Sequence, residues 1–196
     1  MIEFHYAPGA CSFVPHVALE LIRTASGQEF TAHRVRLDKG EHRSPEFLTL
    51  NPEGQVPVLV VDGRPLTQLV AICNWLDRSH PQARLFPADP WTRAQAMSAL
   101  AWMNNTAHPT FSHVFMPAVY GKGEALHEEL KRHNAARFRR QLDRIEAALA
   151  QRSTPWWFGE HVTVPDAYVV TLLRWGGIIG IDPDALPACK AFAERL

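Results

Sequence analysis

The sequence predicts a mixed α/β unit of order βαβαββα followed by an all-helical unit, and three observations support this. Over residues 1–80, short apolar runs of period two alternate with stretches in which apolar residues recur at helical spacing. Residues 80–90 carry three prolines in eleven positions, which is typical of a linker. After Trp91, every long segment has helical spacing. We therefore expect domains at residues 1–80 and 91–196, joined by a linker at 81–90.

The first half of the α/β unit begins with a strand in which Ile2, Phe4 and Tyr6 alternate with polar residues. A Pro-Gly turn follows, and the apolar residues from Cys11 to Arg23 predict a helix. Residues 29–37 predict a second strand and residues 44–50 a short helix.

The second half of this unit begins after the turn signal Asn51-Pro52-Glu53-Gly54. The run Pro57–Val61 predicts a buried strand, which the Asp-Gly turn at 62–63 connects to a short strand at 64–66. Residues 67–78 then predict a helix, which completes the order βαβαββα.

The all-helical unit contains three well-marked helices. Residues 93–115 predict one long helix with a bend near Pro109, and residues 124–151 predict a second. The third begins at Thr163, because Thr163-Val164-Pro165-Asp166 is a capping box with Asp at its fourth position. The residues that follow are apolar almost all round, so we expect this helix to be buried centrally.

Composition excludes several classes of protein. The 196 residues are 46% hydrophobic and 20% charged, a balance that disfavours disorder. The 20 basic and 20 acidic side chains cancel, so the chain lacks the positive charge of a nucleic-acid-binding domain. No segment approaches the ~18 apolar residues of a spanning helix, and residues 1–15 show no targeting signal. We expect a cytoplasmic protein with neither a nucleic-acid nor a membrane partner.

Cys11 is the first candidate for chemistry. The three cysteines, Cys11, Cys73 and Cys189, are odd in number and lack metal-ligand spacing, so neither a disulfide framework nor a metal site is expected. Cys11 and Ser12 stand where a helix begins, and the N–H groups there lower a cysteine pKa and attract a ligand thiolate or carboxylate. The alternative is that Cys11 is a small buried hydrophobic residue.

Two further segments have the chemistry of a peptide-binding edge. If the Val56–Pro57 bond is cis, Val56 leaves its N–H and C=O free to pair with an extended peptide; the alternative is an ordinary proline at a strand start. At the start of the helix at 67–78, the Gln68 amide oxygen can accept from an ammonium, and the first-turn N–H groups suit a carboxylate. The alternative there is simple capping by Thr67.

Five motifs stand in order along nearly the whole chain, and together they resemble the bacterial beta-class glutathione S-transferases. They are Tyr6…Pro8-Gly9-Ala10-Cys11-Ser12, Asn51-Pro52-Glu53-Gly54-Gln55-Val56-Pro57, Leu66-Thr67-Gln68…Ala71-Ile72, Thr163-Val164-Pro165-Asp166-Ala167-Tyr168 and Leu173-Arg174-Trp175. The resemblance implies a thioredoxin-like N-terminal domain, a helical-bundle C-terminal domain and a homodimer. It also implies glutathione as co-substrate, no metal, a role in detoxification and a cis bond before Pro57.

The resemblance assigns roles residue by residue. Cys11 matches a cysteine that can form a mixed disulfide with glutathione, and Ser12 and Tyr6 match hydroxyls beside the sulfur. Lys39 matches a basic residue that reaches the tripeptide, and His108 matches a histidine lining the cleft. The glutathione-binding set is Lys39, Gln55, Val56, Pro57, Gln68 and Leu69. An apolar cleft with His108, Phe111, Phe115 and Trp175 would receive a small hydrophobic electrophile.

Leu69 departs from the family pattern, which usually has a small residue there, commonly a serine that binds the γ-glutamyl carboxylate. The lost hydrogen bond to a charged group is worth about 1.5–3 kcal/mol, or roughly one to two decades of affinity. Three functions remain open on the sequence. They are conjugation of glutathione to electrophiles, a thiol–disulfide redox activity that uses Cys11, and a non-catalytic binding protein with weakened glutathione affinity.

Overall fold

The computed structural model describes residues 1–196 and contains one small sheet and eight α-helices. The strands are β1 (Ile2–Tyr6), β2 (Thr31–Arg34), β3 (Val58–Val61) and β4 (Arg64–Thr67). The helices are α1 (Phe13–Ser26), α2 (Pro45–Leu50), α3 (Leu69–Ser79), α4 (Pro90–Trp102), α5 (His108–Phe115), α6 (Glu124–Ala150), α7 (Val164–Ile178) and α8 (Pro187–Ala193). The order βαβαββα and the helical second half confirm the predicted fold class.

The sheet has the strand order β2-β1-β3-β4, with β1 parallel to β2 and antiparallel to β3. Ile2, Phe4 and Leu59 point to the face that packs on α1 and α3. Val58 and Val60 point to the opposite face, where Phe47 of α2 covers them. Alternation along each strand therefore divides the sheet into a core face and a face only partly covered by α2.

Two element boundaries differ from the sequence prediction. The second strand covers Thr31–Arg34 and not 29–37, because the chain turns after the Val35 N–H donates to the Tyr6 carbonyl at 2.7 Å. Two short 3-10 turns at 37–39 and 41–43 follow. The helix expected at 67–78 begins at Leu69, because Thr67 remains paired in β4.

The long helix predicted at 93–115 is confirmed as a continuous helical path from Pro90 to Phe115. Its irregularity is a π-helical turn at Met103–Ala107, directly before Pro109. Pro109 has no N–H for the Asn105 carbonyl, and its ring crowds that carbonyl. A widened turn relieves this conflict.

Helix α7 lies in the centre of the helical unit, as its sequence predicts, and the capping box at its start is confirmed. The Thr163 N–H and hydroxyl both donate to Asp166 Oδ2, at 2.6 and 2.7 Å. The Trp157 N–H donates to Asp166 Oδ1 at 3.1 Å, so one buried carboxylate fixes both the helix start and the preceding loop.

One continuous hydrophobic core joins the two units, from Ile2 in β1 to Phe192 in α8. The segment expected as a linker contributes to it, since Leu85 and Phe86 are buried and the Val164 N–H donates to the Leu85 carbonyl at 3.0 Å. No helix is both long and apolar enough to cross a membrane. The domain boundaries at 80 and 91 stay a prediction.

Candidate active site

Cys11 lies in the loop between β1 and α1, with its Sγ 3.9 Å from the Val56 carbonyl oxygen. It is only 9% exposed. Burial raises the pKa of its thiol to about 12, although the N–H groups of Cys11 and Ser12 act to lower it. The expected lowering of this pKa is therefore wrong, because desolvation of the thiolate outweighs the N–H groups at the helix start. At pH 7, Cys11 is a protonated thiol and a weak hydrogen-bond donor.

Ser12 is fully buried, and its hydroxyl is already engaged with the backbone of Ala7. It accepts from the Ala7 N–H and donates to the Ala7 carbonyl, each at 3.1 Å. These two bonds close the β1–α1 loop, so the geometry gives Ser12 a structural function instead of the expected catalytic one. Tyr6 is half-buried, and its ring lies tilted against that of His16 with centroids 4.9 Å apart. No hydrogen bond joins its hydroxyl to Cys11.

The Val56–Pro57 bond is cis, as the resemblance implies. The N–H and C=O of Val56 take part in no backbone hydrogen bond. The preceding loop is held by Asn51, whose side-chain amide donates to the Gln55 carbonyl at 2.7 Å and whose oxygen accepts from the Glu53 N–H at 3.1 Å. Val56 therefore has an N–H without a partner and a carbonyl whose only hydrogen bond is the weak one from the Cys11 thiol.

Gln68 has an unusual backbone conformation, with φ 71° and ψ 113° at the N-cap of α3. Such a conformation costs a non-glycine residue of order 1–3 kcal/mol and often marks a functional site. Gln68 itself is exposed, and α3 has no side-chain cap, so capping by Thr67 is not what the structure shows. The Leu69 side chain is 4% exposed and packs into the core.

Lys39 ends the first 3-10 turn and is exposed. Its ammonium group forms no ion pair or hydrogen bond within the chain, so the structure does not bring it into contact with the other candidate residues.

The helical unit supplies a stacked row of aromatic rings. Trp175 lies 4.6 Å from both His108 and Phe111, and Phe111 stacks on Phe115 at 5.3 Å. Trp175 and Phe111 are buried, whereas Phe115 is 54% exposed. The row therefore runs from a buried imidazole to the molecular surface, and it brings together all four side chains expected in the apolar cleft.

His108 is neutral in this environment. Burial lowers its pKa to about 4. Its Nδ1 lies 3.0 Å from the Tyr168 hydroxyl, which donates to the Asn104 side-chain oxygen at 3.4 Å. Tyr168 stays protonated, since burial raises its pKa well above the ordinary value. His108 therefore offers a hydrogen-bonding imidazole and no positive charge.

Tyr168 and Asn104 are residues that the sequence analysis missed. Tyr168 is fully buried in an apolar helix. A buried tyrosine hydroxyl normally has a hydrogen-bond partner. A tyrosine within an apolar helix was therefore the sequence feature that could have indicated this contact.

A single hydrogen bond links the aromatic row to the cysteine loop. The Trp175 Nε1–H donates to the Gly9 carbonyl at 2.8 Å, across 166 positions of sequence. Gly9 has φ 78°, a conformation that favours glycine, and it precedes Cys11 by two residues. The indole thus fixes the loop that carries the thiol, in addition to lining the cleft.

One groove of the molecule lies elsewhere. It has a volume of about 800 Å³ and lies between the 81–90 segment and the 158–163 loop, with acidic and basic side chains interspersed. None of the candidate residues above lines it.

Comparisons with known proteins agree with this geometry. Residues 1–78 match the family model described as the glutathione S-transferase N-terminal domain, and residues 103–196 match that of the C-terminal domain. Glutathione S-transferase GST-4.5 of Xanthomonas campestris pv. campestris is 33% identical over 196 residues, covering 100% of this chain and 92% of that protein.

Two solved structures are similar throughout. The structure of a sphingomonad glutathione S-transferase complexed with glutathione is 31% identical, with a TM-score of 0.82 over 98% of this chain and 91% of that one. The beta-class enzyme of Sphingomonas chungbukensis is 30% identical, with the same TM-score over 98% and 91% of the two chains. The protein therefore belongs to the glutathione S-transferase family.

Proposed function

We propose that the protein binds glutathione and transfers its thiolate to small hydrophobic electrophiles. The observation that carries this proposal is the backbone of Val56, which makes no backbone hydrogen bond and whose carbonyl accepts only a weak one from the Cys11 thiol at 3.9 Å. A backbone edge binds an extended peptide through main-chain hydrogen bonds. The cysteinyl unit of glutathione, paired with Val56, would carry its sulfur to the Cys11 loop.

The two ends of the tripeptide have different partners in this proposal. The γ-glutamyl ammonium would bind the Gln68 side-chain oxygen, and the γ-glutamyl carboxylate the first-turn N–H groups of α3. The Leu69 side chain packs into the core, so the carboxylate would bind beside it without displacing it. Lys39 would attract the opposite carboxylate, while Gln55 and Pro57 hold the Val56 edge in place.

The chemistry requires a stabilised thiolate. The glutathione thiol loses its proton to solvent, and its sulfur lone pair then forms the bond to the electrophilic carbon. With an aryl chloride, the carbon–chlorine bond breaks and chloride leaves with its electron pair. The N–H groups at the start of α1 and the Cys11 S–H would donate to the developing thiolate, which lowers its free energy. Ser12 would contribute indirectly, because its hydrogen bonds to Ala7 close the loop that carries Cys11. Tyr6 lies on the neighbouring strand end, and contact with the bound sulfur would require its hydroxyl to approach Cys11.

The aromatic row is the proposed site for the electrophile. Phe115 supplies exposed apolar surface, with the buried rings of Phe111 and Trp175 behind it. Neutral His108 would supply one hydrogen bond that orients a polar substituent. A row of planar rings suits planar aromatic electrophiles, because offset stacking is favourable.

The two alternative functions have weaker support. A disulfide-exchange activity of Cys11 needs a thiolate, and burial opposes its formation. The case for a non-catalytic binding protein rests on the bulk of Leu69, whose side chain packs into the core.

The proposal is tested by measuring both glutathione binding and catalytic turnover. Calorimetry with glutathione and a conjugation assay with a nitro-activated aryl chloride should both give positive results. Gln68→Ala should raise the KM for glutathione at least tenfold and leave the KM for the aryl chloride within twofold, because one hydrogen bond to a charged group is lost. Gln28→Ala, at an exposed position away from the site, is the matched control. Absence of glutathione binding at millimolar concentration would refute the proposal.

We further propose that the chain is a cytoplasmic homodimer. Sedimentation should then give twice the 22.1 kDa mass of the chain, and a mass of one chain at micromolar concentration would contradict the dimer.

A further inference from the structure

Three side chains of metal-ligand type meet on the sheet face that α2 only partly covers. Glu3 and His5 lie two residues apart on the same face of β1, and His33 stands directly opposite His5 in the parallel register with β2. One ligand atom from each of the three lies within 4.8 Å of the others. The sheet fixes this arrangement, because both the alternation of β1 and the β1–β2 register are set by backbone hydrogen bonds.

The contacts within the cluster use only part of its capacity. His33 Nε2 lies within hydrogen-bond distance of Glu3 Oε2, at 3.0 Å. The His5 ring stacks on that of His33 with centroids 4.8 Å apart, and it also touches the edge of the Phe47 ring. The contact between Glu3 and His33 leaves the imidazole of His5 without a polar partner, whereas a shared cation would engage all three side chains.

We propose that Glu3, His5 and His33 form a binding site for a divalent zinc ion. Two imidazole nitrogens and one carboxylate oxygen are a typical zinc ligand set, and the fourth position of a tetrahedral ion stays open to water. Calcium and magnesium prefer sites made of oxygen ligands alone. None of these residues belongs to the proposed glutathione site, so the inference goes beyond the proposed function and does not depend on it.

The distances are compatible with zinc after small side-chain movements. With bonds of about 2.0–2.2 Å, the ligand atoms of a tetrahedral site lie roughly 3.4 Å apart. The 3.0 Å pair is already close to this spacing. All the ligand atoms lie within 4.8 Å of one another, so no pair must close by more than about 1.4 Å. The Glu3 and His33 side chains are 36% and 42% exposed, so both can rotate and an ion can reach them.

The test is calorimetric titration of the full chain with zinc chloride at pH 7.5, in a non-chelating buffer without glutathione. We expect one site with a Kd of about 10 μM or tighter. His33→Gln and Glu3→Gln should each weaken binding at least tenfold, since each removes one ligand. His133→Gln, at an exposed position of α6, is the control and should bind as the wild type does.

Cobalt substitution gives a second, spectroscopic measurement. Co²⁺ should show visible d–d bands that disappear in His33→Gln, without the near-ultraviolet bands of a cobalt–thiolate bond. Circular dichroism of each variant confirms that it is folded. Unchanged zinc affinity in both His33→Gln and Glu3→Gln would overturn the proposal. Thiolate bands in the wild type, or no zinc binding below millimolar concentration, would also overturn it.

Discussion

Cys11 shows how burial decides the role of a reactive side chain. A helix start favours a thiolate, but this thiol is almost fully enclosed and its pKa rises to about 12. A group that stays protonated at pH 7 can donate a hydrogen bond to another anion without competing with it as a nucleophile. In this chain the cysteine is thus better suited to stabilise the thiolate of a bound ligand than to attack a disulfide.

Replacing Cys11 separates these two roles. Cys11→Ala should lower kcat/KM for conjugation about tenfold, because one donor to the thiolate is lost. Cys11→Ser should stay within about threefold of the wild type, since a hydroxyl also donates. Steady-state kinetics of both variants, with thermal denaturation to verify folding, tests this.

If Cys11 acts as a nucleophile instead, the serine variant should be as inactive as the alanine variant. Equal kcat/KM of Cys11→Ala and the wild type would remove Cys11 from the mechanism altogether.

His108 gives a pH dependence to stability. Its pKa is about 4 in the folded chain against 6.5 for an ordinary histidine, so below pH 6.5 the unfolded state binds a proton that the folded state does not. The free energy of unfolding is therefore greatest above pH 6.5 and decreases as the pH falls toward 4. Between pH 7 and 4.5, the free energy of unfolding of the wild type should fall by about 2 kcal/mol more than that of His108→Gln.

Urea denaturation of both proteins at the two pH values measures this difference. Comparison with the variant is essential, because burial also lowers the pKa of His5 and His16 and both contribute to the pH dependence of either protein. A pH-independent difference in stability between the two proteins would contradict the depressed pKa of His108.

Helix α7 depends on the carboxylate at its start. Asp166 is fully buried and accepts three hydrogen bonds from Thr163 and Trp157. Asp89 caps α4 in a similar way, accepting from the Thr92 N–H and hydroxyl at 2.8 Å each, but at the exposed surface. The two caps have the same chemistry and differ in burial.

We expect Asp166→Ala to lower the free energy of unfolding by about 3–5 kcal/mol, because it leaves buried donors unsatisfied. Asp89→Ala should cost about 0.5–2 kcal/mol, the usual value of an exposed cap. Chemical denaturation of the two variants under identical conditions makes the comparison. Equal losses would show that burial of the Asp166 network adds nothing to the cap.

Local sequence predicts the helices and strands far better than it predicts the geometry of the candidate site. The capping box and the helical path to Phe115 are properties of adjacent residues, so periodicity and capping rules predict them. The bonds from His108 to Tyr168 and from Trp175 to Gly9 join residues 60 and 166 positions apart. The raised Cys11 pKa and the inward position of Leu69 also depend on packing between distant segments, which no local pattern contains.

The two halves of the molecule are joined by more than the connecting chain. The core is continuous from β1 to α8, Leu85 and Phe86 of the connecting segment are buried in it, and α1 packs along α7. The Trp175–Gly9 hydrogen bond and the ion pair between Asp77 and Arg93, at 2.5 Å, cross the same boundary. The α/β unit therefore has a large apolar face that only the helical unit covers.

This continuity predicts cooperative unfolding. In a variant with Trp75→Phe, the remaining five of the six tryptophans lie in the helical half. Their fluorescence and the circular dichroism of the whole chain should give superimposable urea transitions at a fixed protein concentration.

The isolated fragment of residues 1–80 should be largely unfolded and should not bind glutathione, because its exposed core face has no partner. Separate transitions, or a folded fragment, would show that the α/β unit is stable without the helical one.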